Sequence, residues 1–233
     1  MSRLRLASFY ALIPYVVVSL VHVTARFAHD DAVSTPTKAL LMPALAFAVW
    51  WMLRGTRLGL TGGILFAALG FSWLGDEAGL FFPFAPTLPL MLLFFGLAHL
   101  GYIWIFWRRL AVRPVPAWAL VYALWYGVLL AVLWPHAGAL LPAIAVYGLV
   151  LGGTAVAASR CRPLIVWGGA FFLTSDTILA FEIFLPSVIP AWASGAVMLT
   201  YCLGQGLLAT GAVLSLRAGR VDAAPPAPRE ATV

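Results

Sequence analysis

With 233 residues, 63% hydrophobic side chains, 9% charged ones and a net charge of +6, the chain has too few polar residues to cover a water-facing surface. Hydrocarbon is the expected solvent, which excludes a soluble enzyme and, with eight spans of about 20 residues, leaves no length for a second domain. The 14 basic residues lie between apolar runs and not along one stripe, so no nucleic-acid partner is implied.

The apolar runs fall at 6–25, 39–53, 58–80, 88–106, 117–134, 139–158, 164–183 and 192–216. They predict an all-α membrane protein: an eight-helix transmembrane domain over 1–216 and a polar, proline-rich tail over 217–233 whose composition is that of a disordered segment. The first run follows Arg3 and Arg5 and is longer than a signal-peptide core, so a retained signal-anchor helix is expected. The second is short and needs Thr37 and Lys38 at its mouth to reach across. The third carries Phe71-Ser72-Trp73-Leu74-Gly75-Asp76-Glu77, and apolar residues continue to Phe82, which places Asp76 in the outer leaflet. Ser72 and Asp76 are four apart and share a helix face. The fourth run presents Gly96, His99 and Tyr102 along one face. The seventh carries Ser175 and Asp176 near mid-membrane, and the eighth carries Tyr201 and Gln205 one turn apart. Trp50, Trp51, Trp104, Trp107, Trp118, Trp134 and Trp192 fall near span ends, where indole rings anchor at the interface.

Orientation follows from the basic residues. With the N-terminus in the cytoplasm, one side receives Arg3, Arg5, Arg54, Arg57, Arg108, Arg109, Arg113, Arg160, Arg162, Arg217, Arg220 and Arg229, and the other receives Arg26 and Lys38, 12 against 2. Both termini are expected in the cytoplasm, in an integral protein of a bacterial cytoplasmic (inner) membrane.

An ionisable side chain near the bilayer centre costs about 2.5–3.5 kcal/mol on insertion scales, so such a group has a partner or a function. Lys38, Ser72, Asp76, His99, Tyr102, Ser175, Asp176, Tyr201 and Gln205 all fall toward the outer half of the bilayer, and their joint placement predicts one polar cavity there. Bland readings stand beside this one. Asp76 with Glu77 also fits an outer loop, His99 a packing histidine bonded to a carbonyl, and Tyr102, Tyr201 and Gln205 interhelical hydrogen bonding. Lys38 also fits a snorkelling side chain and Glu182 a solvated rim residue. His22, His29 and His136 lack ligand spacing, and Cys161, in a loop, and Cys202, in a span, are read as free thiols. No metal and no cofactor are expected. Asp76 and Asp176, His99 and Tyr201, and Tyr102 and Gln205 are spaced by 100, 102 and 103 residues, which points to two parallel four-span halves related by an axis along the membrane normal.

Five stretches carry a resemblance to a known family. They are Lys38-Ala39-Leu40-Leu41-Met42-Pro43, Ser72-Trp73-Leu74-Gly75-Asp76, Gly96-Leu97-Ala98-His99-Leu100-Gly101-Tyr102, Ser175-Asp176 with Ala180, and Tyr201-Cys202-Leu203-Gly204-Gln205. In this order they resemble the YhhN family of multi-pass membrane proteins, whose characterised members are lysoplasmalogenases; the likeness covers residues 10–215. Ala39 stands where the family pattern has proline, and Glu77 where an apolar residue is usual.

The resemblance implies hydrolysis of the vinyl ether bond of a lysoplasmalogen to a fatty aldehyde and a glycerophospho-alcohol. Such a reaction needs a protonated acid and a nearby negative charge, and two carboxyl groups in different protonation states supply both in sugar hydrolysis. Asp176 is then expected as general acid and Asp76 as the group that orients water, with the reverse assignment open. Ser72, His99, Tyr102, Ser175, Tyr201 and Gln205 would position water and substrate, and Lys38 would meet the phosphate. The expected partners are a lysophospholipid substrate and membrane lipid. The rival reading is a non-enzymatic lipid-binding or proton-coupled transport protein using the same cavity.

Overall fold

The computed structural model describes residues 10–56 and 58–222, with the side chains of 219–222 outside that description. Of the residues counted for orientation, Arg3, Arg5, Arg57 and Arg229 and the side chain of Arg220 lie outside the described residues, as does the tail over 223–233.

The described chain is helical, with no strand among its described residues. Eight helices of fifteen residues or more follow one another: α1 Ile13–Phe27, α2 Asp31–Leu53, α3 Gly59–Asp76, α4 Thr87–Ile105, α5 Leu120–Ala137, α6 Leu141–Ser159, α7 Pro163–Phe184 and α8 Ala193–Asp222. Among the described residues, five segments are long and apolar enough to cross a membrane: Asp31–Leu53, Thr87–Leu110, Ala117–Ser159, Pro163–Phe184 and Ala193–Ala218. The third of these is a hairpin, because Gly138 at φ 51 turns α5 back onto α6. Leu20, Leu60, Leu120, Leu124 and Val146 stand exposed around the outside, which fits hydrocarbon and would be unfavourable in water. The protein is an all-helical integral membrane protein.

Helix boundaries follow local chemistry. Asp30 caps α2 by accepting from the Val33 amide at 3.2 Å, so α2 starts in polar sequence well before the apolar run expected at 39–53. Pro43 inside α2 has no N–H for the carbonyl of Ala39, and the Trp73 indole of α3 donates to that carbonyl at 3.0 Å. The run expected at 58–80 is not one helix. It stops at Asp76, Glu77 adopts φ −102 and ψ 19, and a separate turn forms over Ala78–Phe81. At its far end α8 continues to Asp222, beyond the expected 216.

Neighbouring helices pair as α1 on α2, α3 on α4, α5 on α6 and α7 on α8, and α8 returns to α1 and α2. The most extensive of these contacts, α7 on α8, depends on glycine. A Cβ on Gly168 would lie 2.7 Å from the Leu208 amide nitrogen, and one on Gly204 would lie 2.9 Å from that of Phe172. Backbone therefore meets backbone, as small residues permit in membrane helices. Leu41, Met42, Leu45, Leu65, Leu69, Ile105 and Phe106 fill the centre.

Candidate functional site

Asp76 closes α3 and Asp176 lies in α7, and both line one polar cavity of about 440 Å³. Lys38 from α2, Ser175 from α7 and Tyr201 from α8 share its wall. Each aspartate is held by a phenol. Tyr201 donates to Asp76 Oδ2 at 2.6 Å, and Tyr147 of α6 donates to Asp176 Oδ2. Burial of a carboxyl is tolerable only with such donors, and in each case one carboxyl oxygen is engaged in this way.

A buried layer backs Tyr201. Gln205 Nε2 donates to Ser72 Oγ at 2.9 Å and to Tyr201 Oη at 3.4 Å, while Tyr102 donates to Gln205 Oε1 at 2.7 Å. Ser72, Tyr102 and Gln205 are wholly shielded. They do not line the cavity; they fix the tyrosine that holds Asp76. Ser175 donates to the Val197 carbonyl at 2.9 Å and ties α7 to α8 beside Asp176.

His99 lies apart. Its Nδ1 is 3.1 Å from Thr154 Oγ1, and that hydroxyl is in turn 3.1 Å from the Val150 carbonyl. With the hydroxyl proton directed to that carbonyl, Oγ1 accepts from Nδ1–H. The ring packs edge-on to Phe172, centroids 4.6 Å apart, and is absent from the cavity wall. Of the nine residues expected around one cavity, the structure brings Lys38, Asp76, Ser175, Asp176 and Tyr201 to its wall, sets Ser72, Tyr102 and Gln205 one layer behind it, and holds His99 where the cavity does not reach.

The cavity also has residues that the sequence does not single out for it. His22, read only as lying towards the outer face, is buried in its wall, with Nδ1 3.1 Å from the Ser34 carbonyl and 3.0 Å from Thr37 Oγ1. Glu77 and Glu182 line it too, with Arg26, which pairs with Asp31 at 3.4 Å. The side chains around the space are therefore mixed in sign with carboxylates in excess. Tyr147 is the residue most fully missed. A lone tyrosine in an apolar run carries no periodic signal, and only the fold sets it against Asp176. Among the described residues no three His, Cys, Asp or Glu side chains are grouped to hold a metal.

A second space adjoins the first. It is an apolar slot between α4, α5, α6 and α7, and Asp176, Met91, Phe95 and Leu179 line both. Apart from Asp176 and the Tyr147 hydroxyl, the slot is walled by hydrocarbon and aromatic side chains. Asp176 thus sits where a polar chamber becomes an apolar one. The YhhN family model matches residues 33–212, which includes both aspartates, both tyrosines bound to them, and Lys38. The chain belongs to the YhhN family. The match runs from the first turn of α2 into α8, so in this YhhN protein every helix that lines the slot falls inside it, and every long helix at the cavity but α1 falls wholly or largely inside it. No curated protein and no solved structure matches the chain.

Proposed function

We propose that this YhhN protein is a membrane-embedded hydrolase that cleaves the vinyl ether bond of lysoplasmalogens, yielding a fatty aldehyde and glycerophosphocholine or glycerophosphoethanolamine. The observation that carries the reading is the position of Asp176 at the junction of polar cavity and apolar slot, with Asp76 in the same cavity wall. A lysoplasmalogen has its vinyl ether where its polar head meets its hydrocarbon chain, so the scissile bond and the junction coincide.

Asp176, as the carboxylic acid, protonates the vinyl carbon distal to the ether oxygen. The C=C π bond supplies the electron pair, and an oxocarbenium ion forms. Asp76, as the carboxylate, orients water, which adds to the carbon bearing the oxygen and gives up a proton to Asp76. The resulting hemiacetal collapses to aldehyde and alcohol as the ether oxygen takes a proton. One water is consumed, and the two carboxyls end in their starting states after proton return. Tyr147 and Tyr201 hold one oxygen of each carboxyl and leave the other for the reacting groups. Lys38 meets the phosphate as a point charge, and the pairs formed by Ser72, Tyr102, Ser175 and Gln205 keep the wall rigid. His99 acts at a distance, through the packing of Phe172.

The reading includes eight crossings with both termini cytoplasmic, in the cytoplasmic membrane, supported by the 12-to-2 distribution of basic residues. The cavity then opens to the outer half. Two parallel halves are supported by paired packing: α3 on α4 matches α7 on α8, α2 on α3 matches α6 on α7, and α4 on α6 matches α8 on α2. Tyr102 and Gln205, which correspond by the spacing of 103, bond to each other, as fits a pair close to such an axis.

Purified protein in detergent micelles, given lysoplasmalogen with and without chelator, is expected to release aldehyde equally in both. No aldehyde, with the lipid bound, would replace the hydrolase by a lipid-binding or transport protein. Release abolished by chelator would replace the two-carboxylate mechanism by a metal-dependent one.

A further inference from the structure

The slot beside Asp176 is too small to hold a fatty chain. Its volume is about 50 Å³, room for roughly four water-sized groups at about 10–15 Å³ each. A fatty chain entering past Asp176 must therefore continue elsewhere. The slot wall contains Gly148 of α6, and Gly148 is also in the wall of a third space, an apolar groove of about 710 Å³. That groove lies on the outside of the bundle between α5, α6 and the end of α4, where Leu120 and Leu149 are exposed. Its wall on α6 includes Gly148, Gly152 and Gly153, against which the side chains of Tyr126, Trp125 and Ile103 pack. A Cβ on Gly148 would lie 3.3 Å from the Tyr126 ring, which also lines the groove.

We propose that the hydrocarbon chain of the lipid passes from the polar cavity by Asp176 through the slot and across Gly148 into the groove between α5 and α6, which opens to the bilayer. This rests on the polar cavity being the seat of a single-chain lipid. The occupant of the groove is that same chain, argued from the residue shared by the two spaces and from the shortage of room in the slot. The groove runs from Gly148 to Val156 along α6, about 12 Å at 1.5 Å per residue, long enough for the distal part of a fatty chain. The aldehyde product leaves by the same route, directly into lipid. Gly148 is then a specificity-determining residue for chain length.

The test uses saturated 1-O-alkyl glycerophosphocholines with six- and sixteen-carbon chains, which have no vinyl ether to cleave, binding to full-length protein in nanodiscs. Gly148→Leu should weaken sixteen-carbon binding at least tenfold and change six-carbon binding less than twofold. Ala123→Trp fills the groove from an exposed position on α5 and should do the same without touching the slot. Tyr126→Ala, added to Gly148→Leu, should recover most of the long-chain affinity. The proposal is overturned if wild-type protein does not favour the longer chain, or if Ala123→Trp leaves the ratio of the two affinities at the wild-type value. A wild type that shows the chain-length pattern but releases no aldehyde from lysoplasmalogen keeps the path and removes the hydrolase.

Discussion

Asp76 and Asp176 each accept from one tyrosine, and the two tyrosines come from different helices. Replacing either carboxyl by the isosteric amide keeps size and most hydrogen bonding but removes the exchangeable acid proton or the negative charge. General acid or base catalysis contributes about 10²–10⁴-fold, so Asp76→Asn and Asp176→Asn should each lower kcat for aldehyde release by at least ~10². Their elution on size exclusion should match wild type; a fall of less than tenfold in either would remove that residue from the mechanism. Tyr147→Phe deletes one hydrogen bond to the Asp176 carboxylic acid, about 0.5–1.5 kcal/mol for a neutral pair, and should cost roughly 2- to 10-fold in kcat with little change in KM. Unchanged kcat would make Tyr147 a packing residue only. Both aspartates are legible in the sequence because a carboxyl within an apolar run has few bland explanations. Tyr147 is not, since aromatic rings are ordinary in membrane helices. His99 is misplaced for a geometric reason: it and Tyr102 are one turn apart, yet its ring reaches sideways to Thr154 while Tyr102 reaches Gln205.

At the scale of helices, hydropathy finds the apolar middle of each element and is blind to its ends. Polar caps lengthen α2 backward to Asp31, and the bend at Glu77 breaks a run that reads as continuous. Packing is less legible still, because a glycine at a backbone crossing and one facing open space look alike in sequence. The structure separates them. Gly204 meets the Phe172 backbone, whereas a Cβ on Gly70 meets nothing within 4 Å. Gly204→Val should wedge α7 from α8 and cost about 1–3 kcal/mol or more, the penalty of overpacking a tight contact. Because those two helices carry Asp176 and Tyr201, activity should fall with stability. Gly70→Ala, at an exposed interior position of α3, should leave stability at or above wild type, by up to about 1 kcal/mol. Thermal unfolding in detergent, followed by tryptophan fluorescence, checks both. Equal melting temperatures for the two variants would contradict the close crossing.

For the molecule as a whole, orientation decides which leaflet supplies the lipid. In the proposed orientation the turn between α7 and α8 lies outside and the segment between α4 and α5 inside. The cavity shares that outer side, since Glu182 near the end of α7 and Thr87 at the start of α4 both line it. The two native cysteines, Cys161 and Cys202, are buried, which gives a quiet background for labelling. Ser187 and Val112 are exposed in loops at opposite ends of the bundle and serve as reporters. In intact cells a membrane-impermeant maleimide should label Ser187→Cys, and Val112→Cys should react only after permeabilisation. The reverse pattern would turn the protein over and open the cavity to the cytoplasmic leaflet, without altering the geometry of the two aspartates. Equal labelling of both in intact cells would mean that an even number of crossings, not the three of α5, α6 and α7, separates these loops. The eight-crossing topology would then fail while the bundle around the cavity stood. The expected pattern makes the substrate an outer-leaflet lipid whose head reaches the aspartates from water and whose chain turns inward past Asp176, along the groove that runs from Gly148 to Val156 on α6.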